Sequence, residues 1–168
     1  MALALLTACG GRHVERGYRP GELALVVPVE GVQVRHLRDS FHHSRSGGRR
    51  HYALDIPAPR GTPVLAAADG TILKLRTGGV GGVTIYQLAI DGRLRYYYAH
   101  LDRYRDGLKE GQRVRRGELI AYVGDTGNAG RGNYHLHFSI AILSDVKRYW
   151  EGVNLNPYDV LRASPVAR

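Results

Sequence analysis

Apolar side chains in this chain come in short runs of five to nine residues, Leu23–Val29, Pro63–Ala67, Thr71–Leu75, Val83–Ile90, Leu94–Leu101, Leu119–Val123 and Tyr134–Ile142, separated by Gly, Pro, Asn and Asp. Runs of that length complete a strand, whereas a helix needs about ten or more residues to present an apolar stripe. The last run is the clearest. Leu136, Phe138 and Ile140 alternate with His135, His137 and Ser139, the period of two that sends neighbouring side chains to opposite faces of a sheet. Asp69–Gly70 and Asp91–Gly92 predict tight hairpin turns, because Gly accepts positive φ without a steric penalty. Residues 78–82, GGVGG, lack the Lys and Ser/Thr of a phosphate loop and read as a turn. The one clear helix signal is C-terminal, with Asn156 as N-cap and Pro157 at the first helical position before YDVLR. The expected fold is mostly antiparallel β over residues 21–163, with a short C-terminal helix and a tail at 164–168.

A chain of 168 residues is the length of one domain, and its 22 Gly, 7 Pro and 11 Tyr argue against a helical bundle, a coiled coil or a transmembrane channel. A single Cys excludes a disulfide framework and any Cys-rich zinc finger. The formal charge is +9, and residues 21–168 keep +7 of it, from 21 basic and 14 acidic side chains. Such an excess attracts polyanions of any kind. The nearest approach to a nucleic-acid surface is Arg93, Arg95, Tyr96, Tyr97 and Tyr98, but no RNP, KH or helix-turn-helix pattern accompanies it. Solvated arginines on a strand edge are the expectation there, and no nucleic-acid partner is expected.

The first nine residues, MALALLTAC, read as a signal peptide ending in a lipobox-like Leu6-Thr7-Ala8-Cys9 before Gly10, although no Lys or Arg precedes the apolar run. Lipidation of Cys9 would tether the chain to a membrane in the cell envelope, with residues 10–20 as linker.

Of eight His, four fall into patterns that chemistry needs. His51 and Asp55 stand four apart in HYALD, and Pro57 and Pro59 just beyond favour a strand or extended turn over a helix. His135 and His137 flank Leu136 and point to one side of their strand. His100 ends the run Tyr96, Tyr98, His100, expected on the face opposite Tyr97, Ala99 and Leu101. Two imidazoles and a carboxylate suit zinc with a fourth position left for water, a catalytic form of site, and two further His could move protons or hold an oxyanion. His42 and His43, among Arg38, Arg45, Arg49 and Arg50, are expected on a solvated rim, and His13 and His36 carry no signal.

These residues resemble the lysostaphin-type, LytM-like zinc metallopeptidases of bacterial cell walls. The resemblance runs from about Arg49 to Ile140 through RRHYALDIPAPRGTPVLAAADGTI, YYYAHL, EGQRVRRGELIAYVGDTGN and HLHFSI, in the family's order. It implies His51, Asp55 and His137 as the ligands of Zn2+, and His100 and His135 as a catalytic pair that orients water and stabilises the tetrahedral intermediate. It also implies an open β-barrel or sandwich of the duplicated hybrid-motif type. Ala53 departs from the Gly that many members carry between the two HxxxD ligands, but it is small, so metal binding should survive.

The activity implied is hydrolysis of peptidoglycan stem-peptide cross-links. With a Gram-negative lipoprotein, periplasmic and anchored to the outer membrane, the bond would be a D-Ala to diaminopimelate cross-link in preference to a glycine bridge. The alternative is a non-catalytic LytM-like activator of a cell-wall amidase, against which retention of all five polar residues argues. A non-haem Fe(II) oxygenase would also use two His and a carboxylate, but in an HxD pattern and with no use for His100 and His135.

Overall fold

A computed structural model describes residue 18 and residues 21–44, 46–48 and 50–166. The lipobox-like segment with Cys9, most of the expected linker, and His13, Arg45 and Arg49 lie outside the described residues. Strands β1 (Leu54–Pro57), β2 (Pro63–Leu65), β3 (Gly70–Arg76), β4 (Val83–Ala89), β5 (Leu94–Tyr104), β6 (Arg113–Val114), β7 (Leu119–Val123), β8 (His135–Ile142) and β9 (Val153–Leu155) are followed by the helix α1 (Pro157–Ala163). Every strand pairing is antiparallel. The main path runs β1-β8-β5-β4-β3-β6, with β7 joining β2 to β5 and β9 on β8, and the sheet does not close on itself.

Period-two patterning turns one face of β8 into the core. Leu136, Phe138 and Ile140 are fully buried, and Tyr98 and Tyr96 of β5 pair directly with Phe138 and Ile140 across the ladder. Leu54, Ile56, Ile72, Ile85, Leu101, Ile120 and, from α1, Leu161 complete the same core. Tyr98 brings a hydroxyl into this apolar interior, and its bonds are complete: the O–H donates to Gln87 Oε1 at 2.6 Å and the oxygen accepts from the Ala67 amide at 2.9 Å. A buried hydroxyl left unpaired would cost about 1–3 kcal/mol. At the C-terminus the Asn156 side chain accepts from the Tyr158 amide and Pro157 occupies the first turn, so α1 begins where its cap signal predicts.

Four expectations need correction. Leu23–Val29 is extended but forms no named strand: Val29 makes an isolated bridge to Val64, and Pro28, which has no N–H to give, accepts from Leu65 instead of sustaining a ladder. Asp69–Gly70 is not a hairpin turn, since β2 pairs with β7 and β3 with β4 and β6. Gly70 is required there for close approach, as a Cβ would lie 2.2 Å from the Leu88 carbonyl oxygen. Asp91–Gly92 does close the β4–β5 hairpin, with Gly92 at φ +69° and Asp91 accepting from the Arg93 and Leu94 amides. Arg95 is not a solvated edge residue; it is 6% exposed on the interior strand β5, its guanidinium within 6 Å of the Tyr86 and Tyr97 ring centroids.

β5 changes partner along its length. Residues 94–99 pair with β8, whereas Leu101, Arg103 and Tyr104 pair with β7. On the other edge, Ile85 faces Tyr98 and Val83 faces Leu101, so β5 carries one residue more than β4 over this step. His100 stands at that fork with φ +59°, one of two non-glycine residues at positive φ among the described residues. A bulge inserts one residue and reverses which face the next side chain takes. His100 therefore turns away from the buried Tyr96 and Tyr98 and lines the open cavity together with Tyr97 and Ala99, contrary to the alternation that the sequence suggests.

Candidate metal centre and active site

Asp55 on β1, His137 on β8 and Ala99 on β5 are direct cross-strand partners in one row. Partners in an antiparallel ladder share a face, and the small Ala99 side chain leaves space beside the imidazole. His51 precedes β1 and reaches the same spot because the chain between the two is not a strand: Tyr52 has φ +51°. Ser40 fixes this turn. Its carbonyl oxygen accepts from His51 Nδ1 at 2.9 Å, and its hydroxyl accepts from the Asp55 amide at 3.0 Å and donates to the Ala53 carbonyl.

His51 Nε2, Asp55 Oδ1 and His137 Nδ1 form a nearly equilateral triangle, with separations of 2.9 Å between the two nitrogens and 3.0 Å from each to the oxygen. Because a carbonyl can only accept, His51 carries its proton on Nδ1, and the lone pair of Nε2 then faces a carboxylate oxygen at 3.0 Å. Two acceptors held that close repel unless a cation lies between them. A tetrahedral ion with bonds of about 2.0–2.1 Å would separate its ligand atoms by about 3.3 Å, close to what is found. The donor set and its spacing fit a divalent metal. Burial pushes the Asp55 carboxyl upward, but the His137 and His51 imidazoles packed against it outweigh that and hold the group far below the ordinary carboxylate range. Burial lowers His137, against the opposing pull of Asp55.

His100 and His135 face the same space. His100 Nδ1 donates to the Thr126 carbonyl and His135 Nδ1 to the Asn133 carbonyl, each at 2.8 Å. In the neutral form of each ring Nε2 is then the acceptor. Their centroids are 5.0 Å apart, His100 lies 5.6 Å from the His137 ring, and His135 Nε2 is 3.8 Å from Asp55 Oδ1. Burial lowers His100 to about 4, only partly opposed by its bond to Thr126, so the ring is neutral at pH 7.

The profile of peptidase family M23 matches residues 49–157. The chain belongs to peptidase family M23. Among its relatives is the DD-carboxypeptidase/endopeptidase Mpg of Neisseria meningitidis, 37% identical over 118 residues, covering 70% of this chain and 24% of that protein. The L-Ala--D-Glu endopeptidase of Bacillus subtilis is 33% identical over 150 residues, covering 85% and 44% of the two chains. This M23 chain thus matches less than half of the length of either relative. Among solved structures, LytU superposes with a TM-score of 0.65 at 27% identity, over 79% of this chain and 88% of that one. The catalytic domain of lysostaphin from Staphylococcus simulans gives 0.59 at 27% identity, over 74% and 91%. The open, mostly antiparallel sheet is the fold of these M23 peptidases.

In this M23 domain the five polar residues singled out in the sequence all line one cavity of about 530 Å³, with Arg50, Val80, Asn128 and Asn133 among the other walls. His42 and His43 are exposed outside it, as a rim placement requires, and His36 is exposed and accepts from the Gln33 amide. Sequence reasoning missed Ser40, Thr126 and Asn133, the residues that hold the imidazoles. Ser40 and Asn133 act through backbone carbonyls, which leave no trace in side-chain identity. Thr126 had a weak signal in DTGN: its hydroxyl donates to the Leu101 carbonyl at 2.7 Å and accepts from the Val83 amide at 2.9 Å, clamping the fork around His100. The GGVGG turn closes against it, since a Cβ on Gly82 would lie 2.3 Å from Thr126 Oγ1.

Proposed function

We propose that this M23 domain is a zinc endopeptidase that hydrolyses peptide cross-links of bacterial peptidoglycan. The observation that carries the reading is the convergence, in one open cavity, of a two-nitrogen, one-oxygen donor triangle with two further imidazoles, His100 and His135, each held through Nδ1 to a backbone carbonyl. That donor set suits zinc, and three protein ligands are the number found in catalytic zinc sites. Zinc bound there supplies Lewis-acid polarisation of the scissile carbonyl and lowers the pKa of water toward about 7.

The chain's own groups do the remaining work. His51, Asp55 and His137 hold the ion, with Ser40 fixing the tautomer of His51 so that Nε2 is the ligand atom. His100 and His135 orient the attacking water through Nε2, and the one that takes the water's proton then stabilises the oxyanion of the tetrahedral intermediate and returns that proton to the leaving amine. The naming of relatives as DD-carboxypeptidase/endopeptidase and as L-Ala--D-Glu endopeptidase supports a peptidoglycan stem peptide as substrate. The Cys9 lipobox supports an outer-membrane tether facing the periplasm, where a D-Ala to diaminopimelate cross-link is the bond within reach.

The test is digestion of purified, cross-linked peptidoglycan by the full chain, with and without a chelator, read by mass spectrometry. Chelator-sensitive conversion of dimeric to monomeric muropeptides is expected. No cleavage by the folded, zinc-loaded protein would overturn the reading in favour of an amidase activator.

A further inference from the structure

The cavity holds one side chain whose charge the proposed chemistry does not use. Arg50 lines the wall next to the ligand His51, at the edge where residues 44 and 50 form an isolated bridge. It is the one Lys or Arg among the described lining residues, and Asp55, the one carboxylate there, belongs to the ligand triangle. Among the described residues the Arg50 guanidinium makes no ion pair, and its one hydrogen bond runs from Nη1 to the His42 carbonyl at 3.3 Å. That bond uses one Nη of the exposed guanidinium, and its Nε/Nη2 edge has no hydrogen-bond partner among the described residues. A guanidinium presents such an edge as a planar fork that matches a carboxylate with two parallel hydrogen bonds, which an amide or hydroxyl cannot reproduce.

We infer that Arg50 is a specificity residue that binds a free carboxylate of the peptide held in the cavity. This rests on the peptidase reading and sharpens it: the substrate is an acidic peptide whose carboxylate reaches the rim beside His51 while the scissile bond lies over the ligand triangle. Stem peptides carry such groups on side chains and at chain ends. Amidation removes the charge with little change of shape, so the selected class is the unamidated cross-link. Among the described residues the rest of the wall adds no further Lys or Arg.

The experiment uses the full-length, zinc-loaded chain and a pair of synthetic cross-linked stem peptides that differ only in free versus amidated carboxylates. For wild type, kcat/KM is expected to be about tenfold higher on the acid form, the worth of one solvent-accessible charged hydrogen-bond pair. Arg50→Gln should lose that preference, the loss falling on KM, and Arg50→Lys should keep part of it. Calorimetric binding of the uncleaved tetrapeptide, as acid and as amide, gives a second readout that needs no turnover, and zinc stoichiometry confirms that the neighbouring His51 still binds. A preference that survives in Arg50→Gln, or wild type that binds and cleaves both forms alike, would overturn the assignment while leaving the peptidase reading standing. Absence of cleavage with preserved acid-selective binding would overturn the peptidase reading and leave Arg50 as a carboxylate reader.

Discussion

Strands β8 and β5 lie side by side, and both deliver histidines to one cavity by opposite means. β8 is regular through the site: its alternation places His135 and His137 outward and Leu136, Phe138 and Ile140 in the core, and both β1 and β5 pair with it without a break. β5 is irregular at the decisive residue. It gains a residue relative to β4, changes partner from β8 to β7, and holds His100 at positive φ. A regular strand places side chains by sequence period alone. A bulge needs clamps from elsewhere, here the Thr126 hydroxyl, the Thr126 carbonyl and the bond from the His100 amide to the Gly81 carbonyl. Strain of this kind costs about 1–3 kcal/mol and survives only where the surroundings over-determine it.

The comparison can be broken at several levels. The largest effect is expected from His137→Ala, which removes one corner of the triangle from the regular strand. Metal content and hydrolysis should both disappear, as measured by elemental analysis and muropeptide release. Next come His135→Ala and His100→Ala, which should keep the metal and lower turnover by about 10²–10⁴. If His135→Ala loses metal as completely as His137→Ala, the division of roles along β8 is wrong.

A smaller effect is expected from Thr126→Val, which keeps the carbonyl that holds His100 but deletes the hydroxyl clamping Leu101 and Val83. Stability should fall by about 1–3 kcal/mol in urea titrations, with metal binding retained. Equal stability would mean that the fork does not depend on its clamp.

Acid provides a further probe of the irregular strand in metal-free protein. Burial holds folded His100 at about 4 against an ordinary 6.5, so unfolded chains bind its proton more readily. The stabilising contribution of the neutral ring is complete above about 6.5 and is lost as pH falls from there toward 4. His100→Asn should flatten that part of a stability–pH curve, and an unchanged slope would count against the burial argument. The smallest effect is expected from His42→Ala, since His42 is exposed and outside the cavity; its melting behaviour and activity should match wild type.

What was legible in the sequence follows the same division. Strand β7 lies where the apolar run places it, β8 begins one residue later, and α1 starts at its predicted cap. The short strands β6 and β9 gave no readable period, being two and three residues long. Arg95 looked like a surface residue because nothing local distinguishes an edge strand from one flanked on both sides. Leu23–Val29 alternates well enough in burial, yet Pro28 keeps it out of the ladder.

By itself, the sequence determined the residue types of the site, the strand that carries His135 and His137, and the placing of His51 and Asp55 together on a strand or extended turn. Those are local properties, set by side-chain chemistry and by the period of a strand. Tertiary structure alone decided by which bulge His100 reaches the cavity, that Ser40, Thr126 and Asn133 hold the imidazoles, and that Arg50 stands at the rim. These depend on which strands pair on either side of β5 and on backbone carbonyls that every residue possesses, so they enter only when distant segments meet.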